Sequence, residues 1–292
     1  MRRPRNRAPW IVGGMAIAAS IALVAWWRWP QPEVVAPQLA CNGDTGFAFT
    51  AKTGTVVCGG ASVAKGVLPI GTTLDTGAHE AELKIAKIGA AQLGERTRVR
   101  LDRTSAVGHQ LFLEQGHMHA RVDAPPRIFA VVTPSAHVTD LGCEYTLDID
   151  SRGAGKLHVI TGKVELETGT GALVVAPRGT HANLLPGRRP SVPLSDKAGP
   201  VITAAVRDLE ANVDGALDRV LAAATVVDAI TIANLAEVVP DQKRKILERL
   251  AKIVPPPQDL TIDEALSDRA LYEMWFDECV LVHLGASTVP PR

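Results

Sequence analysis

The stretch Val131–Asp150, VVTPSAHVTDLGCEYTLDID, decides how the rest of the chain is read. Its second half alternates: Cys143, Tyr145, Leu147 and Ile149 fall on one face of an extended strand, while Glu144, Thr146 and Asp148 fall on the other. The strand before it stops at Thr133 and Pro134, because proline has no N–H to give to a ladder. Gly142 then supplies a tight corner that a side chain would hinder. Strand, turn and strand with one apolar face is the pattern of a β layer packed on a core.

The same pattern extends in both directions. From about Thr50 to Pro190, short apolar alternations are separated by glycine, proline and threonine, as in AELKIAKIG, TRVRLD, QLFLEQG, RIFAVVTP, KLHVITG, KVELE and ALVVAP. In HMHARV, Met118, Ala120 and Val122 share a face opposite His117, His119 and Arg121. No helical period intervenes to build parallel crossovers, so this region is expected to be an all-β domain, residues 50–190, in the form of a sandwich, roll or solenoid-like stack of short strands.

Past Pro200 the period changes. Ile202, Ala205, Leu209, Val213, Ala216, Leu217 and Val220 recur at three- and four-residue steps and predict one amphipathic helix entered through Pro200. A second is expected over VVDAITIANLAEVV. A third begins near Pro240 and Asp241 and stops at PPP. Thr261 and Glu264 then form a capping box, and the last helix runs through LYEMWFDECV. Residues 200–286 are therefore a small helical module, with Trp275 and Phe276 expected to anchor its core.

The N-terminus has a third character. Arg2, Arg3, Arg5 and Arg7 crowd residues 1–9, ahead of WIVGGMAIAASIALVAWW, which has no ionisable side chain. At ~1.5 Å per residue, ~18 helical residues reach about 27 Å, enough for the hydrocarbon core of a bilayer. Trp10 at one end and Trp26, Trp27 and Trp29 at the other suit the two interfaces, and the arginines fix the N-terminus inside. Residues 10–29 are expected to be an N-terminal transmembrane helix in contact with the lipid bilayer. A cleaved leader is the rival, weakened by the bulky end of the run and by Pro37 after its best small-residue site. Either reading exports the chain beyond Pro30. Lipid attachment at Cys41 fits less well, since QLAC carries glutamine where an aliphatic residue is needed. Residues 30–49 form a proline-spaced linker and the start of a small loop. Cys41 and Cys58 flank that loop and would clamp it if bridged in an oxidising compartment; two unpaired thiols are the alternative.

Composition excludes little and suggests little chemistry. Hydrophobic residues make up 46% of the 292, and 31 Lys and Arg balance 31 Asp and Glu, so the charge total argues for no nucleic-acid partner. His117 and His119 project from one strand face with Glu114 upstream, but no further ligands stand at zinc-site spacing, and a solvated polar face is the expected reading. Asp148 and Asp150 read as exposed strand positions with no tuned partner. Cys143 is expected to be buried and unreactive. There is no Gly-x-Ser-x-Gly elbow and no phosphate-cradling loop. No catalytic residue, metal site or cofactor is expected, and the chain is read as a non-enzyme.

With these motifs placed, residues from about Leu68 to Glu167 resemble the FecR domain, named for the ferric-citrate regulators of bacterial envelope signalling. LPIGTTLDTG is similar to the family's opening segment, LGERTRVRLDRTSAV to its strand pair, and LFLEQGHMHARV to the next segment. The stretch from Phe129, with KLHVITGKVELE after it, is similar to the pattern Phe-x-Val-x-Thr-Pro, Gly-Thr-x-Phe and Val-x-Gly-x-Val. Thr133, Pro134, Asp140, Gly142, Cys143, Tyr145, Gly162 and Val164 carry that likeness as structural motif residues. Tyr145 stands for the usual phenylalanine. Cys143 stands for the usual threonine, as in a branch resembling myxobacterial FecR-domain proteins, to which LERLAKIVPPPQDLT is also similar.

The resemblance implies a periplasmic domain that senses or relays a signal by touching another envelope protein. Regulators of this family carry a sigma-binding segment ahead of the anchor. Only MRRPRNRAP stands there in this sequence, so no direct sigma-factor contact is expected. A structural scaffold of envelope machinery is the rival function, and a metalloenzyme built on His117 and His119 the more remote one.

Overall fold

The computed structural model describes residues 41–167, 171–188, 191–257 and 259–281. The expected basic tail and membrane helix, residues 1–29, lie outside them, as does the linker to Ala40. Among the described residues no helix is long and apolar enough to cross a membrane.

Among the described residues seventeen strands precede the helices. They are β1 (Phe47–Ala51), β2 (Val56–Cys58), β3 (Ala61–Val63), β4 (Lys65–Leu68), β5 (Thr73–Asp75), β6 (Ala81–Ile85), β7 (Gly89–Leu93), β8 (Arg98–Ser105), β9 (Gly108–Val122), β10 (Phe129–Val132), β11 (His137–Asp140), β12 (Glu144–Ile149), β13 (Gly155–Thr161), β14 (Lys163–Glu167), β15 (Leu173–Pro177), β16 (Thr180–Leu184) and β17 (Leu194–Ser195). Pairing sorts them into two layers. One runs β4-β1-β6-β7-β9-β12-β13-β16-β17. The other runs β3-β2-β5-β8-β9-β10-β11-β14-β15.

β9 belongs to both layers, because it bends at Gly116. Its first half pairs with β8 and β10, its second with β7 and β12. Gly116 has φ +104°, and a Cβ there would overlap Thr97, so the bend requires glycine. The same bend separates Glu114 from His117 and His119, which lie in different layers. Elsewhere the chain shuttles between layers strand by strand or hairpin by hairpin, and a stacked sandwich is the outcome among the three expected arrangements.

The alternation foreseen in the sequence is the alternation of burial. Met118, Ala120 and Val122 point inward, as do Cys143, Tyr145, Leu147 and Ile149. Burying each aliphatic or aromatic side chain of this kind contributes roughly 1.5–3 kcal/mol against the entropy of ordering the chain.

The helical module differs in detail from its prediction. The first helix is two: α1 (Pro200–Glu210) and α2 (Ala216–Ala223). Asn212 and Gly215, both at positive φ, interrupt it, since the left-handed conformation cannot continue a right-handed helix. A single 3-10 turn (Val226–Asp228) leads into α3 (Ala229–Val238), and another (Pro240–Gln242) into α4 (Lys243–Ile253). α5 (Ile262–Ser267) opens on the Thr261–Glu264 capping box. α6 (Arg269–Trp275) passes into a π turn (Phe276–Val280). Trp275 is fully buried and donates its Nε1–H to the Val254 carbonyl at 3.2 Å.

α3 is buried almost all round, which marks it as the central helix. It lies against β15 and β17 and closes one end of the sandwich. Thr231 donates its hydroxyl to the Pro193 carbonyl at 2.8 Å, and Tyr272 donates to Ala233 O at 2.7 Å. Module and sandwich thus share one hydrophobic core.

Candidate functional site: the inter-sheet corner and its groove

Asp140, Gly142, Cys143, Tyr145, Gly162 and Val164 gather where the chain crosses between layers, while Thr133 and Pro134 lie in the β10–β11 turn at the other end of β11. Thr133 ends β10 and organises the next turn: its Oγ1 accepts the amides of Ser135 (3.2 Å) and Ala136 (3.0 Å). Ser135 donates its hydroxyl to the Gly153 carbonyl. Gly153 in turn packs on Pro134, so closely that a Cβ would stand 2.6 Å from the proline Cβ.

β11 ends at Asp140, which is 2% exposed. One carboxylate oxygen accepts the Gly142 amide at 2.6 Å, and the other accepts the Cys143 thiol at 2.9 Å. Gly142, at φ +87°, turns the chain into the opposite layer. Gly162, at φ +72°, makes the return crossing directly against it. A Cβ on Gly162 would overlap the Gly142 oxygen and stand 2.8 Å from Cys143 Cβ. Two stacked crossings leave room for hydrogen alone, which is what the two glycines provide.

The interior of the corner is electrically unfavourable. Burial pushes the Asp140 carboxyl above the usual carboxylate range, opposed by the Cys143 and Gly142 donors. Burial, with the neighbouring Asp140 charge, pushes the Cys143 thiol far up, which disfavours the thiolate. Tyr145 is also raised by burial, then by Asp140 and Cys143. Its hydroxyl finds no hydrogen-bond partner. These three side chains brace a corner.

On the outer side of the corner, Leu141 helps line a groove of about 330 Å³ between the second layer and the helical module. Leu173, Val175 and Phe276 supply further apolar lining. Its rim is charged and paired: Arg127 grips Glu165 through two hydrogen bonds of 2.6 and 3.1 Å, and Lys163 meets Asp277 at 3.4 Å. Phe276, expected as a core anchor, is buried and also borders this groove.

The histidines lie elsewhere, on the outer face of the first layer. His117 pairs with Asp148 at 2.6 Å and His119 with Glu144 at 2.9 Å, so each imidazole has its own carboxylate. Among the described residues no three His, Cys, Asp or Glu side chains are placed to hold a metal ion. Asp150 caps its own turn by accepting the amides of Arg152 and Ala154. Cys41 and Cys58 form a disulfide.

Sequence reasoning missed two parts of this arrangement. One is Asn234, a single amide in an otherwise apolar helix, which meets β15. The other is Asp196, which receives His158 at 2.8 Å and His181 at 3.0 Å. Their partnership depends on β13 and β16 being neighbours in register, which strand patterns alone do not specify.

The fold is a layered stack of short strands with glycine-mediated crossings at Gly116, Gly142 and Gly162. Residues 72–165 match the family model described as FecR protein, and this stretch of the chain is a FecR domain. No curated protein matches the chain. Two crystal structures of a candidate anti-sigma factor from Parabacteroides distasonis ATCC 8503 are similar at 15% identity and a TM-score of 0.36. The likeness covers 46% of this chain and 63% and 62% of those chains, so this chain spans less than two thirds of their length.

Proposed function

We propose that this protein is an envelope regulator: anchored in a bacterial inner membrane through residues 10–29, it presents its FecR domain and docked helical module to the periplasm and binds another envelope protein. The observation that carries this reading is the FecR match over residues 72–165, together with the signalling role that the family resemblance implies. The Cys41–Cys58 disulfide supports an oxidising compartment for the domain. The apolar groove beside Leu141, rimmed by charged pairs, supports recognition of a protein surface.

Site-specific photo-crosslinking in cells tests it. A photoreactive residue at Leu141 is expected to capture one discrete partner, while the same residue at Val107, 83% exposed and outside the groove lining, captures none. A receptor or other regulator in the adduct supports signalling, and structural envelope components support the scaffold instead. No adduct from Leu141 overturns groove-mediated binding.

A further inference from the structure

Among the described residues β15 pairs with β14 alone, and every second residue of it turns its main-chain groups toward that partner. Arg178, just past the strand, donates its amide to Gly162 O at 2.8 Å. Ala176 and Val174 therefore bond inward too, opposite Val164 and Leu166. Leu173, Val175 and Pro177 turn theirs outward. Val175 exchanges both of its bonds with the Asn234 carboxamide, at 2.7 and 2.9 Å. Pro177 has no N–H, and its carbonyl accepts the Thr180 hydroxyl. Among the described residues nothing hydrogen-bonds the outward amide and carbonyl of Leu173.

That open position faces the groove. Leu173, Val175 and Asn234 line it together with Leu141, Tyr272 and Phe276, so the free edge of β15 runs along its wall. Asn234 shows what this edge accepts: a carboxamide, with the donor and acceptor of a peptide group, standing where a neighbouring strand would. One step along the same edge, Leu173 offers the same two groups with an apolar lining beside them. Each charged side chain of the lining already has its opposite, Arg127 with Glu165, Lys163 with Asp277, Arg269 with Glu273 and Glu237 with Lys243. Complementarity therefore calls for an occupant without charge at this position.

We propose that the groove takes an extended, uncharged segment of the partner protein by strand addition to β15, a mode of binding that rests on the envelope-partner reading above. A partner residue opposite Leu173 donates its N–H to the Leu173 carbonyl and accepts the Leu173 N–H, as in the close pairs of an antiparallel ladder. Its side chain lies on the same face as that of Leu173 and enters the apolar lining. The added strand is short, because Asn234 fills the next pairing position.

Amide hydrogen exchange on the full chain tests this with an acetylated, amidated Thr-Thr-Leu-Thr-Thr peptide and with its counterpart N-methylated at the leucine. At saturation the first peptide is expected to slow exchange of the Leu173 amide at least about fivefold. The second has no N–H for the Leu173 carbonyl and is expected to leave that amide unchanged. No slowing by the first peptide overturns the proposal. Equal slowing by both overturns it as well, since side-chain contact alone would then explain binding, and leaves the envelope reading intact. Slowing by the first peptide alone, with no adduct from Leu141 in cells, supports the strand site and sinks the envelope reading instead.

Discussion

The side-chain amide of Asn234 pairs with Val175 as a neighbouring strand would: its Oδ1 accepts the Val175 amide at 2.7 Å, and its Nδ2 donates to the Val175 carbonyl at 2.9 Å. The second Nδ2 hydrogen goes to Ile230 O at 2.9 Å, and the residue is 2% exposed. Val175 sits in the last strand of its layer, where an open edge would invite other chains. Pro177 has no amide to offer, and its carbonyl accepts the Thr180 hydroxyl at 2.6 Å. The helical module thus closes this edge at Val175 with one side chain. Asn234→Ala would strand both Val175 groups, and a loss of about 2–4 kcal/mol is expected in urea unfolding. Asn234→Asp should be no better, since it places a carboxylate oxygen against the Val175 carbonyl. A loss below about 0.5 kcal/mol for the alanine variant would show that water replaces the amide.

The value of a position such as Asn234 could not be read in the sequence, and the reason is physical. Period two in CEYTLDI and HMHARV reports which face of a strand meets apolar surroundings, a property of the strand itself. It therefore anticipated the buried Tyr145, Leu147, Met118 and Ala120. The split of the first helix was legible too, at Asn212 and Gly215, but the apolar spacing from Leu209 through Val220 concealed it. Which strands become edges, and which distant side chain covers them, depends on the order of layers. That order is fixed by crossings at Gly116, Gly142 and Gly162, each understood only once its spatial neighbour is known.

Gly162→Ala separates close packing from backbone strain. Both Gly162 and Gly179 have positive φ, +72° and +71°, but a Cβ on Gly179 meets nothing within 4 Å, whereas one on Gly162 strikes Gly142 and Cys143. Gly179→Ala is expected to cost about 1 kcal/mol, the left-handed penalty alone. Gly162→Ala should cost about 3 kcal/mol or more, because backbone on both crossings must shift. Paired thermal melts measure the difference. Equal costs would mean that the crossings are loosely stacked.

Tyr145→Phe is expected to stabilise the protein. The ring is wholly buried, and its hydroxyl has been taken from water without gaining a partner. Removing that oxygen relieves a desolvation cost and keeps the packing, for a gain of about 1 kcal/mol, or several degrees in melting temperature. A melting temperature lowered by the change would reveal a hydrogen bond to an internal water at this corner.

Asp196 makes the stability depend on pH. Burial works to raise its carboxyl, but the hydrogen bonds and charges of His181 and His158 outweigh it and hold the group below its ordinary value. A carboxyl lowered in the folded state adds stability above its unfolded value and loses it as pH falls through the folded one. Asp196→Asn should therefore be less stable than the parent at pH 7, with the gap closing as the pH drops through about 4 and below. The backbone after β17 is held separately, the Asp196 main-chain amide donating to Gly179 O at 2.9 Å, a bond that the asparagine variant keeps. Since its side chain is 42% exposed, salt should narrow the gap at neutral pH. Urea midpoints for both proteins from pH 7 to pH 2 provide the measurement. A gap that is the same at both ends of that range would mean that the two imidazoles gain nothing from the carboxylate's charge.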